Sequence, residues 1–215
     1  MARRGHASGF GRVWPAALLA TLALVAGLPP AAHAADVVLT VKGPKATRSY
    51  TLKQLKTRFP VYKGYAGYVK TGFVGMERPH PVKGVRLIDL LAKVGYKKGA
   101  VTLTAADGYR LLCSSKQVRG RSVTMYKAKP PQYPVVTIPR ANRLTAILAY
   151  QDKKVGARIN DSNPWRAYTS TYAKDGSKGV GPLRFWWAYR KWVKPGYVQV
   201  GSSSLRMVRR VTAPK

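Results

Sequence analysis

The sequence predicts an α+β protein that is mostly β, and three features of the chain support this. Apolar and polar residues alternate over VVLTVK at 37–42 and over VTLT at 101–104, which is typical of half-buried strands. Asp107-Gly108 follows the second of these segments and indicates a turn into a return strand over residues 109–112. Apolar residues between Val85 and Val94 recur instead at helical spacing, so they predict a short helix.

Further elements follow from local signals along the chain. Arg48 to Leu52 alternates as a second strand, and Thr51 is placed to cap a helix over Leu52 to Arg58. That helix should end before Pro60, because the residue before a proline avoids the helical conformation. Four later apolar segments predict buried or closing strands: Leu144 to Tyr150, Gly181 to Trp187, Tyr197 to Val200 and Leu205 to Val211.

Residues 1–34 are predicted to be a secretory signal peptide. Three arginines precede an apolar run over Ala16 to Leu28, and Ala32-His33-Ala34 forms a small-residue cleavage signal. The run is too short for a membrane span, so an uncleaved anchor is the weaker alternative. We therefore expect an exported protein, in the periplasm, cell envelope or extracellular space, with a single mature domain over residues 35–215.

The balance of charge is strongly basic. The 215 residues carry 39 lysines and arginines against seven acidic residues, for a net charge of +32. Removing the three arginines of residues 1–34 leaves +29 on the mature chain. Such a field attracts polyanions, which for an exported protein are cell-surface polymers, anionic membrane surfaces or nucleic acid. A general adaptation for solubility is the alternative interpretation of the same charge.

Three stretches depart from regular patterns. Val61 to His80 interleaves tyrosines with glycines and basic residues, which suits either stacking on a ligand or a loop whose aromatic side chains pack on the body. Residues 114–143 are rich in proline and predict an insertion, with an edge strand at Val135 to Ile138. Residues 157–179 predict a second insertion, and Gln151 to Lys154 predicts a charged turn.

Several motifs occur in an order that points to a known family. They are Y-T-L-x-x-L-K within residues 38–56, G-V-x-L-x-D-L-L at 84–91, A-D-G-Y at 106–109, A-x-L-A-Y within 144–150, and GPLRFW at 181–186, which is similar to a G-x-P-L-R motif. This series resembles the sulfite-oxidase-type molybdopterin-binding domain family over most of Val37 to Val211. The resemblance implies that family's fold with a β-grasp-like N-terminal part, a molybdopterin cofactor, and transfer of an oxygen atom or electrons at molybdenum.

The chain departs from the family at the metal ligand. In cofactor-bearing relatives, the segment equivalent to residues 61–80 carries the cysteine that ligates molybdenum, and this segment contains none. Cys113 is the only cysteine of the chain and follows the A-D-G-Y motif, so we interpret it as a small core residue. Bound molybdenum is therefore in question, and we predict no metal ligands.

Other catalytic groups are scarce, and arginines are the remaining candidates. His80 is the one histidine beyond residue 34, and its place between two prolines predicts a loop residue. Arg110 and Arg184 are predicted to bind an anionic cofactor or ligand, because guanidinium groups hold oxyanions by paired hydrogen bonds. An outward-facing Arg184 without a ligand is the alternative. Two functions follow: an exported molybdopterin-dependent oxidoreductase, or a non-catalytic scaffold of the same fold that binds an anion.

Overall fold

Two β-sheets and three short helices make up the part of the chain that the structure describes, which is residues 37–162, 164–168, 182–201 and 205–214 of a computed structural model. These residues belong to one compact unit, Ala32–Lys215. Strands greatly outnumber helices, so the prediction of a mostly β, α+β protein is confirmed. The predicted signal peptide, residues 1–34, lies outside the described residues, as do Asn163 and most of the second insertion.

The smaller sheet has five strands and brings together the first and last strands of the described residues. Its first and last strands in sequence, β1 and β13, pair in parallel, and all other neighbours are antiparallel. In spatial order it contains β2 (Thr47–Thr51), β1 (Val37–Lys42), β13 (Val208–Thr212), β5 (Val101–Ala105) and β6 (Arg110–Cys113).

Helix α1 (Leu52–Arg58) begins and ends where the sequence predicts. The Thr51 side chain accepts a hydrogen bond from the Gln54 backbone N–H at 3.2 Å, and the Gln54 side chain accepts one from the Thr51 N–H at 2.9 Å. This reciprocal capping box satisfies two backbone donors that the first turn would otherwise leave free. Leu55 is then buried in the core.

The larger sheet is built around β9 (Thr145–Asp152), the predicted buried strand. One edge of β9 pairs with β4 (Met76–Arg86), and the other pairs with both β10 (Arg166–Ala167) and β11 (Arg184–Ala188). Beyond β4 the sheet continues through β3 (Val61–Val69), β12 (Tyr197–Val200), β7 (Met125–Lys127) and β8 (Val135–Val136).

Backbone hydrogen bonds between Tyr65 and Tyr189 bring the end of β11 back to β3. The Tyr65 N–H donates to the Tyr189 carbonyl at 2.7 Å, and the Tyr189 N–H donates to the Tyr65 carbonyl at 3.0 Å. Strands β3, β4, β9 and β11 are therefore linked in a ring. Two small apolar clusters, one containing Trp186 and the other Val198, lie apart from the main core, which the two sheets share with α1 and with α2 (Leu87–Ala92).

The interpretation of Val61 to His80 as a loop is wrong, because most of it forms strands β3 and β4. A Cβ on Gly64 would lie 2.7 Å from the Tyr189 carbonyl oxygen, so this glycine allows the close approach that closes the ring. Tyr62 and Tyr65 are buried by that packing, and Phe73 is exposed at the hairpin tip. His80 is also a buried strand residue and not a loop residue.

Several elements begin or end at residues other than those that the sequence predicts. Helix α2 starts at Leu87, since Val85 still pairs with Leu148 in the sheet. The predicted charged turn after Tyr150 is wrong: β9 continues to Asp152, and Lys153 is buried. The proline-rich insertion contains helix α3 (Ser115–Val118) and β7 besides the predicted edge strand, of which β8 is the paired part. No helix in the described ranges combines the length and apolarity needed to cross a bilayer.

Candidate anion-binding site

A short 3₁₀ turn, Arg140–Asn142, is held rigidly against the segment that follows β11. Asn142 is buried, and its Nδ2 donates to the Lys191 carbonyl oxygen at 2.8 Å. The Lys191 N–H donates in return to Asn142 Oδ1 at 2.6 Å. This reciprocal pair fixes the turn in place. As a result Arg140 and Arg143, both exposed, stand on a preorganised support beside Arg190.

A second close contact places Arg121 next to the same turn. Gly120 follows α3 with a φ of 70°. A Cβ at this position would lie 1.8 Å from the Leu144 carbonyl oxygen, so only glycine fits there. Helix α3 is tied to the larger sheet as well, because Trp187 Nε1 donates to the Gln117 carbonyl oxygen at 3.1 Å.

Arg86 and Arg190 complete the arrangement at the ends of two strands. Arg86 is the N-cap residue of α2, and its Nε donates to Asp89 Oδ2 at 2.7 Å. That bond leaves the terminal nitrogens of Arg86 without a hydrogen-bond partner among the described residues. Tyr62 is buried beside these arginines. Burial is the largest influence on its hydroxyl and raises its pKa, although Arg190 and Arg86 oppose the effect, so Tyr62 remains a neutral donor.

These five residues, Arg86, Arg121, Arg140, Arg143 and Arg190, are called the arginine site below. They line two adjoining cavities. The first, about 710 Å³, is bordered by residues 120–124, 135–140, 143 and 144. The second, about 380 Å³, is bordered by residues 60–62, 86, 140, 141, 143, 145 and 190. No aspartate or glutamate is among these lining residues, and of the five arginines only Arg86 is paired with a carboxylate, that of Asp89, so each cavity has an excess of positive charge.

The sequence-predicted site residues lie elsewhere. Arg110 is exposed on β6 of the smaller sheet, whereas Arg184 is buried on β11 of the larger one. Arg184 donates from both terminal nitrogens to the Glu77 carboxylate, each at 3.1 Å, and its guanidinium carbon lies 3.9 Å from the Trp186 ring centroid. Arg184 is thus a paired interior cation. Neither residue lines the two cavities of the arginine site.

A buried polar cluster surrounds Arg184. His80 Nδ1 lies 3.0 Å from the Arg78 carbonyl oxygen, which can only accept, so Nδ1 carries a hydrogen. Its Nε2 lies 3.5 Å from Glu77 Oε1 and 3.6 Å from Asp152 Oδ2, and has no hydrogen-bond partner among the described residues. Burial raises the pKa of Asp152 and outweighs the opposing charges of His80 and Arg166. Asp152 therefore favours its protonated form more than an exposed aspartate does.

The residues present do not fit a protein-ligated molybdenum. Cys113 is fully buried in the main core, which confirms its interpretation as a small core residue. Burial raises the pKa of its thiol to about 12, so it does not supply the thiolate that a metal of this kind requires. In the described part of the chain, no group of three or more His, Cys, Asp or Glu side chains is placed to hold a metal ion.

Comparison with known proteins adds no assignment. No protein-family model matches the chain, and no curated protein is significantly similar to it.

The arginine site was not predicted from the sequence, and the reason is compositional. With 39 lysines and arginines in the chain, the composition does not distinguish the five arginines of the site from the others. They come from β4, from the proline-rich insertion and from the segment after β11, so no local spacing links them. The one local sign is the pair Arg140 and Arg143 on either side of Asn142, which marks a short turn presenting two cations.

Proposed function

We propose that this protein is an exported binding protein for an anionic ligand, which it holds in the arginine site. The observation that supports this is the grouping of five exposed arginines around two cavities that no carboxylate lines. Guanidinium groups bind phosphate and similar oxyanions through paired, charge-assisted hydrogen bonds. A rigid backbone beneath arginines favours binding, because less conformational freedom is lost when the anion binds.

Two features support a specific site over a general cationic surface. The Asn142–Lys191 hydrogen bonds and the close contact at Gly120 fix the backbone next to Arg121, Arg140 and Arg143. The cavities also have the volumes of small-molecule sites, which are roughly 300–1,000 Å³. A surface adapted only for solubility requires neither property.

The function implied by the family resemblance is an oxidoreductase with a molybdenum–pterin centre. That function depends on a metal ligand, and Cys113 is unsuited to the role for the reasons given above. Binding of an anionic cofactor or ligand without catalysis depends only on the arginines. We therefore prefer the binding function, in which the scaffold is used to hold an anion.

The test compares two double variants of equal charge. Arg140→Gln/Arg143→Gln removes the wall that both cavities share, whereas Arg209→Gln/Arg210→Gln removes two exposed arginines from β13 on the smaller sheet. Orthophosphate binding is measured by calorimetry at several salt concentrations. The first variant should lose about 2 kcal/mol or more of binding free energy, since hydrogen bonds to charged groups contribute roughly 1.5–3 kcal/mol each.

The control variant should bind orthophosphate nearly as the wild type does, with a small loss that disappears at high salt. Equal losses in the two variants would contradict the proposal, because binding would then follow net charge and not the arginine site. Thermal unfolding of both variants shows whether either change has altered the fold.

A further inference from the structure

The two cavities of the arginine site have a wall in common. Arg140 and Arg143 line both, whereas Arg121 lines only the larger cavity and Arg86 and Arg190 line only the smaller. The larger cavity thus has three arginines and the smaller has four. Each cavity can neutralise an oxyanion by itself, and the shared pair can contact an anion on either side.

The shared wall is fixed from both directions. On the side of the smaller cavity, Asn142 is hydrogen-bonded in both directions to the backbone of Lys191, next to Arg190. On the side of the larger cavity, the Leu144 carbonyl packs against Gly120, next to Arg121. The relative positions of the two cavities are therefore set by the fold, and a ligand that reaches both meets a preorganised surface.

We infer that the ligand carries at least two linked oxyanion groups, as an oligophosphate does, and spans both cavities across the Arg140–Asn142 turn. This inference rests on the anion-binding function proposed above. A single oxyanion in one cavity would leave the unshared and unpaired arginine of the other, Arg121 or Arg190, without a counter-charge among the described residues. A chain of linked phosphates neutralises both groups. Once one phosphate of the ligand is bound, the second contact forms within the same complex, which raises the affinity without any new type of interaction.

A spanning ligand makes a specific prediction about coupling. Arg121 and Arg190 line different cavities, so for a single phosphate their contributions should be independent. For a phosphate chain that occupies both cavities, loss of either arginine removes the affinity gained by linking the two contacts. The effects of the two substitutions should then be non-additive for the long ligand and additive for the short one.

The experiment is a chain-length series with a double-mutant cycle. Orthophosphate, pyrophosphate, tripolyphosphate and a longer linear polyphosphate are titrated into the mature chain at fixed ionic strength. The proteins are the wild type, Arg121→Gln, Arg190→Gln and the double variant. A second cycle over Arg209→Gln and Arg210→Gln controls for charge alone.

We expect affinity to rise by at least about tenfold once the chain is long enough to span the wall, as linked binding events do. Arg121→Gln and Arg190→Gln should each remove most of that rise, with little further loss in the double variant. The control cycle should keep the rise and show additive effects. ATP has the same number of linked phosphates as tripolyphosphate, so any difference between them reports whether a nucleotide is favoured over a bare phosphate chain.

The inference would be overturned if the rise with chain length survived in Arg121→Gln, or if the two substitutions were additive for every ligand. The ligand would then occupy one cavity, and the proposed anion-binding function would stand as long as Arg140→Gln/Arg143→Gln still weakened orthophosphate binding. If that variant bound orthophosphate as the wild type does, the proposed function itself would fail.

Discussion

His80 lies between two carboxylates in the interior, and its hydrogen bond to the Arg78 carbonyl determines which nitrogen faces them. Because Nδ1 faces the Arg78 carbonyl oxygen, Nε2 is the ring nitrogen that faces Glu77 and Asp152. A proton shared between Nε2 and a carboxylate oxygen prevents repulsion between their lone pairs. The raised pKa of Asp152 is consistent with this arrangement.

The pH dependence of stability tests this cluster through Asp152→Asn. The ordinary pKa of the carboxyl, 3.8, is raised in the folded state by burial, so the folded protein holds this proton more tightly than the unfolded chain does. The associated stability is present at acid pH and is lost as pH rises above about 4. Urea unfolding from pH 4 to pH 7 should therefore show the wild type losing stability relative to Asp152→Asn as pH rises.

Asp107→Asn is the matched control, because Asp107 is exposed in the β5–β6 turn. The difference in unfolding free energy between the wild type and Asp107→Asn should change less with pH than the difference between the wild type and Asp152→Asn. The proposed retention of a proton at Asp152 would be contradicted if the unfolding free energy of Asp152→Asn relative to the wild type stayed constant with pH. It would also be contradicted if the wild type became the more stable of the two as pH rises.

Cys113 gives a second prediction at the scale of one residue. Cys113→Ser replaces a buried thiol with a hydroxyl of similar size, so it should cost about 1 kcal/mol of unfolding free energy, as a typical point substitution does. Elemental analysis of protein expressed with cofactor supply should find the same metal content in variant and wild type. About one molybdenum per chain in the wild type, lost in the variant, would instead restore the oxidoreductase function.

At the scale of elements, the Arg140–Asn142 turn is the part on which the arginine site depends most. Asn142→Ala should destabilise the protein by roughly 1–3 kcal/mol, because the Lys191 N–H loses its hydrogen-bond acceptor in a partly buried position. Orthophosphate binding should weaken as well, although Asn142 lines neither cavity. Asn160→Ala, at an exposed position, should change neither property. Unchanged phosphate binding in Asn142→Ala would show that the turn needs no such anchor.

At the scale of the whole molecule, the excess of positive charge agrees with the predicted export signal. If residues 1–34 are removed, the remaining chain carries a charge of +29, which suits a compartment where anionic polymers are the available partners. We predict that the secreted form begins at or next to Ala35, which N-terminal sequencing will show. Ala34→Arg should block this cleavage, since the site requires a small residue. A mature protein that keeps Met1 would contradict the prediction.

Local patterns in the sequence were sufficient for the elements whose structure depends on near neighbours. The capping box of α1 needs only Thr51 and Gln54, and the turn between β5 and β6 needs only Asp107 and Gly108. The alternation that predicts β1 is likewise complete within six residues. Together these determined that the chain is an α+β protein consisting mostly of strands.

Tertiary structure alone decided what is buried and which cations meet. The tyrosines and glycines of β3 have the composition of a loop, and they become an interior strand because Gly64 allows the backbone at Tyr189 to approach closely. The arginine site likewise unites Arg86, Arg121 and Arg190 with the turn at 140–142. These contacts join segments far apart in the chain, so their stability comes from packing and backbone pairing of the whole fold and not from any local sequence preference.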